Sequence, residues 1–146
     1  MPAAKLFALL AVFFALLAAV AKWVPFPGFY VHDFAMGPTL VLLFCLVTSA
    51  NFAILYYAGD RIFHVRWHRG LTLLHFCSFV CFGILLSLVF ALSTIASNGG
   101  ISGESMRWVI VPLLLGMFSL VTSLVVFGIN MTLSVVQLVR ARFARH

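Results

Sequence analysis

The chain has 146 residues, 64% of them hydrophobic and 8% charged, with nine Lys+Arg, three Asp+Glu and a formal net charge of +6. A soluble domain carries about 25% charged residues, so this scarcity, with a mean hydropathy of +1.19, excludes a water-exposed globule, a disordered chain, a coiled coil and a disulfide-rich secreted scaffold. What remains is an all-α integral membrane protein.

The charges fall in five clusters that leave four apolar stretches, approximately 6–24, 36–58, 71–96 and 108–139. Each is long enough for a helix rising 1.5 Å per residue to cross a hydrocarbon layer about 30 Å thick. Strands are excluded because a membrane barrel needs alternating segments, whereas these runs are apolar on every face. The prediction is a four-helix transmembrane bundle forming one membrane domain over 1–146.

The first stretch follows Lys5 and ends near Ala19-Val20-Ala21, which also has the shape of a signal-peptide cleavage site. Its 16 apolar residues between Lys5 and Lys22 reach or exceed the length of a signal h-region, so a retained helix is expected. Val24 to Tyr30 is rich in proline and aromatic residues and suits the headgroup level. His32 and Asp33 then stand just before the second stretch, where such a pair can bind a metal ion, move a proton or simply form an interfacial hydrogen bond.

The basic loop Asp60 to Arg69 carries Arg61, Arg66 and Arg69, together with His64 and His68. His64, His68 and His75 would share one face if a single helix ran through them, at about 0°, 40° and 20°. The plainer reading is an amphipathic turn with interfacial His and Arg, with Gly70 breaking the helix. His75, a turn inside the third stretch, reads as a hydrogen-bonded contact between helices. Cys45, Cys77 and Cys81 read as small apolar residues, since thiolates are costly in hydrocarbon.

Ser97 to Gly103 is a glycine-rich connector. The last stretch spans 32 residues, about 48 Å as a straight helix, with Pro112 the natural place for an irregular first turn and 111–138 the part within the bilayer. Asn51, Asn130 and Ser134 are at comparable depth and read as polar contacts that hold helices together, while Gly83 with Ser87 and Ser119 with Ser123 supply small surfaces for close approach.

Orientation follows from the cations. Three arginines lie in the Asp60–Arg69 loop and Arg140, Arg142 and Arg145 lie in the tail, so both belong inside and the topology is N-in/C-in. The cations flank membrane ends, which argues against nucleic acid as a partner. A transport path would call for an ionisable group in mid-span or a broken helix, and the middle of each span lacks Asp, Glu, Lys and Arg.

Tyr30-Val31-His32-Asp33 opening a span, a basic inner loop, and then Leu74-His75-Phe76-Cys77-Ser78-Phe79-Val80-Cys81-Phe82-Gly83 together resemble the last three helices of the haem-copper oxidase catalytic subunit, subunit I. The likeness runs from about Phe29 to Val136, with Gly116, Ser119, Asn130 and Ser134 on the final helix. The resemblance implies that the haem-ligating histidines follow the His-Asp pair by eight and ten residues. Those positions here are Leu40 and Leu42, which cannot ligate iron, and the family's copper ligands lie on earlier helices. The resemblance also places His32 and Asp33 near a magnesium and haem-propionate region.

The expected function is therefore a non-catalytic membrane protein of a bacterial inner membrane, an accessory subunit that binds or stabilises a respiratory complex. No cofactor is expected, apart from a metal at His32 and Asp33. The partners are the lipid bilayer and other membrane subunits or further copies of the chain. The rival readings are a small oligomeric transporter or channel, and a haem or metal binder with ligands shared between protomers.

Overall fold

The computed structural model describes residues 2–23, 37–99 and 106–143. Four helices account for nearly all of them: α1 (Ala3–Trp23), α2 (Gly37–Arg61), α3 (Arg69–Gly99) and α4 (Met106–Phe143). All four contain a window long and apolar enough to cross a membrane. The protein is an all-α, four-helix integral membrane protein whose surroundings are a lipid bilayer.

Local sequence explains where the helices begin and end. Pro38 sits in the first turn of α2, where its missing N–H would have had no helical partner in any case. Arg61 closes α2, and Arg140 with Arg142 close α4, each placing positive charge on the negative end of a helix dipole. The chain leaves α2 through His64, whose φ of 53° is left-handed, a conformation that histidine visits more readily than most residues. The turn lets the Val65 N–H bond the Gly59 carbonyl at 2.8 Å. His64 and His68 therefore lie in a loop, residues 62–68, as the turn reading expects, and the alternative of one helical face shared by His64, His68 and His75 does not form.

Two other boundaries differ from the sequence reading. α3 continues through Ser97 and Asn98 to Gly99, into the predicted connector, since short polar residues are tolerated in a last turn that has left the hydrocarbon. α4 does not start at Pro112: it begins at Met106 and carries the proline inside. Only one hydrogen bond is forfeited there, and the ring is buried.

The helices associate as two hairpins, α1 along α2 and α3 along α4, which meet at a thinner α2–α3 seam. Hydrophobic burial does not drive association in lipid, because a tail is as apolar as leucine. Shape and polar contacts decide instead. Rings fill the seam: Phe7 packs on Phe52 at 5.4 Å, Tyr56 at 5.5 Å and Phe76 at 5.5 Å, while Phe52 reaches Phe79 at 5.6 Å and Phe127 at 5.1 Å. Each such pair is worth roughly 0.5–1.5 kcal/mol beyond its area. Farther along, Gly83 of α3 leaves room for Phe14 of α1: a Cβ there would lie 2.9 Å from Phe14 Cζ and 3.6 Å from Cys45 Sγ. A side chain larger than hydrogen would force the Phe14 ring to shift.

Candidate functional site

Among the described residues, the side-chain hydrogen bonds that join different elements converge toward one end of the bundle, where α1 starts, α2 ends, loop 62–68 turns, α3 starts and α4 ends. His75 is fully buried, and its Nδ1 shares a hydrogen bond with the Tyr56 hydroxyl at 3.0 Å, tying α3 to α2. One helical turn earlier, the Asn130 amide spans two elements. Its nitrogen donates to Thr72 Oγ1 at 3.0 Å, and its oxygen accepts the backbone N–H of His68 at 3.0 Å. That N–H precedes the first turn of α3, so the side chain of α4 acts as the partner that a helix start needs.

The same face of α4 continues the pattern. The Ser123 hydroxyl donates to the His75 carbonyl at 3.3 Å, the Ser134 hydroxyl donates to the Arg66 carbonyl at 3.1 Å, and the Gln137 amide nitrogen lies 3.0 Å from His68 Nε2. The amide can only donate there, so that imidazole nitrogen accepts. Ser123, Asn130, Ser134 and Gln137 stand at offsets of 0, 7, 11 and 14, the spacing of a seam between two close helices. The basic loop is thereby pinned to the bundle by side chains from within the membrane.

Trp67 completes the closure. Its ring meets Tyr56 edge-on at 4.6 Å and lies in the notch left by Gly59, where an added Cβ would overlap the indole. Among the described residues, two buried side-chain polar atoms have no hydrogen-bond partner, Trp67 Nε1 and His75 Nε2. The imidazole is walled by Phe52 at 4.4 Å, Phe7 at 4.8 Å and Phe127 at 5.1 Å. Aromatic faces are a weak but real substitute for an acceptor.

Of the predicted contact residues, His75 and Asn130 form polar links between helices here, and Ser134 links α4 to loop 62–68. Asn51 does not. It is exposed, and among the described residues its amide has no hydrogen-bond partner. The physical reason is rotational: α2 turns Ser49, Phe52 and Tyr56 inward, and residue 51 points the other way. His32 and Asp33 lie outside the described residues. Cys45 is buried while Cys77 and Cys81 face outward, so the three thiols do not converge. Among the described residues, no group of three or more His, Cys, Asp or Glu side chains is placed to hold a metal ion.

Against known proteins, no family model, no curated protein and no solved structure matches the chain. The residues themselves do not fit the haem that the oxidase resemblance would imply. Leu42 is packed in the core and Leu40 faces outward, and neither side chain offers a donor atom.

Tyr56, Thr72, Trp67 and Gln137 belong to the site and escaped the sequence reading, while Ser123, read as a small surface for close approach, also donates to the His75 carbonyl. For α4 a signal existed in the seven-residue spacing of its polar groups. For Tyr56 and Thr72 there was none beyond a hydroxyl in an apolar run.

Proposed function

We propose that the protein is a non-catalytic membrane subunit that docks on, and stabilises, a larger membrane assembly through the outward face of α2. The observation that carries this reading is the exposed stripe Leu40, Phe44, Val47, Asn51 and Ile54. Its offsets of 0, 4, 7, 11 and 14 are those of a seam built to receive another helix. At the fourth position stands an amide with both a donor and an acceptor unused, which is costly against lipid and satisfied by a polar group of a partner helix. By contrast, the polar groups inside the bundle are engaged in holding its own helices and loop. Such a division suits a subunit that acts by contact. The oxidase-like pattern of residues 29–136, with leucine at positions 40 and 42, supports a respiratory complex as the assembly.

The test is a photo-crosslinking residue at Val47, with the products identified from membranes. Crosslinks to a subunit of a haem-containing respiratory complex, weakened in Asn51→Leu, are the expected result. Crosslinks to further copies of the chain alone would replace this assignment with self-association.

A further inference from the structure

The closed end of the bundle is not solid. A cavity of about 580 Å³ opens between the start of α1, the end of α2, loop 62–68 and the start of α3. Its polar wall holds Asp60, Arg66, Arg69 and Thr72, and its apolar wall holds Ala3, Leu6 and Leu73. Among the described residues neither guanidinium has an ion-pair or hydrogen-bond partner, although Asp60 lines the same space. Trp67, whose indole N–H is buried without an acceptor, also lines it.

We propose that this cavity binds the phosphate of an anionic phospholipid headgroup. Two arginines and one aspartate leave one net positive charge, which one phosphodiester neutralises. Guanidinium forks match phosphate oxygens in shape and can chelate them in pairs. Position favours a lipid over a free anion. The cavity sits at the end of the spans that carries the basic loop, where an anionic leaflet draws cations, and its apolar wall leads along α1 and α3, whose mutual contact is narrow. An acyl chain can leave by that groove while the phosphate stays at the arginines. The volume exceeds what a bare phosphate fills and suits a headgroup with its glycerol.

Native mass spectrometry of the whole protein in mild detergent tests this. Phosphatidylglycerol, phosphatidylcholine and inorganic phosphate are offered separately. One phosphatidylglycerol retained per chain, with little phosphatidylcholine, is expected. Arg66→Gln with Arg69→Gln should weaken retention about thirtyfold, Asp60→Asn should strengthen it about fivefold, and Arg140→Gln with Arg142→Gln should leave it unchanged. Asp60 is exposed, so its variant keeps the test valid if the double arginine variant does not fold; Ala3→Phe, which fills the apolar wall, should also abolish retention. Equal retention of both lipids, equal loss in the tail variant, or no response to Asp60→Asn overturns the site. Binding of inorganic phosphate without retention of phosphatidylglycerol overturns the lipid and leaves a free-anion site.

Discussion

Two stripes with the same spacing run down α4 and α2, and each carries an asparagine ten residues before the arginine near its helix end, Asn130 before Arg140 and Asn51 before Arg61. On α4 the stripe is Ser123, Asn130, Ser134 and Gln137, and its hydrogen bonds close on α3 and loop 62–68. On α2 it is Leu40, Phe44, Val47, Asn51 and Ile54, open to the outside. Residue type is alike, so it does not explain the contrast. The surroundings do: Thr72 and the His68 N–H face Asn130 across the contact of α4 with α3 and loop 62–68, whereas Asn51 is turned to the outside of the bundle. A polar residue that meets a partner on a neighbouring element builds the bundle, and one turned outward is left for something else.

The sharpest way to break this contrast is Asn130→Leu. It removes the acceptor of the His68 N–H and the donor to Thr72 together, leaving both groups buried or half-buried without partners. The loss should be about 2–3 kcal/mol in unfolding by a denaturing detergent, with loss of hydrogen-exchange protection at His68 and in the first turn of α3. If Asn130→Leu costs no more than Asn51→Leu, the two stripes do not differ in role.

Gly59→Leu asks whether the loop is held by the α4 stripe alone. The new side chain takes the space of the Trp67 ring, so the indole must leave its contact with Tyr56, at a cost of about 1–3 kcal/mol. The measurement is Trp67 fluorescence with Trp23 and Trp108 replaced by Phe, and a shift to longer wavelength is expected. An unshifted spectrum would mean that the ring has another resting place.

His75→Phe tests the link between α2 and α3. It deletes the bond to Tyr56 but also the unpartnered Nε2, and it places a ring among Phe7, Phe52 and Phe127. These opposing changes leave a loss of about 1 kcal/mol. Combined with Tyr56→Phe, which removes the hydroxyl that faced the imidazole, stability should return to within about 0.5 kcal/mol of the parent. A loss of several kcal/mol in the double variant would show that the polar pair, not the ring packing, carries the seam.

These contrasts also explain what could be read before the fold was known. The four spans were legible because the thickness of a bilayer sets a length that apolar runs either reach or miss. His75, Asn130 and Ser134 were legible as contacts because amides, hydroxyls and imidazoles in hydrocarbon need partners. Which way Asn51 points was not, since α2 is apolar around its whole circumference and offers no polar face to set its rotation. Loop 62–68 was legible as a turn although three histidines matched a helical period, but its left-handed geometry at His64 was not, because that is fixed by what Val65 and Trp67 reach afterwards.

Asn51→Leu is the smallest expected effect on the isolated chain and the most informative about its surroundings. The amide has no partner within the bundle, so its replacement should change unfolding by less than about 0.5 kcal/mol. In the native membrane the same change should reduce crosslinking from Val47 by about threefold or more, the factor that corresponds to one interhelical hydrogen bond of roughly 0.6 kcal/mol or above in lipid. A variant that loses stability alone would place Asn51 among the contacts of its own bundle. A variant that loses association alone assigns the α2 stripe to a partner, and the same amide chemistry then serves the fold on one helix and assembly on another.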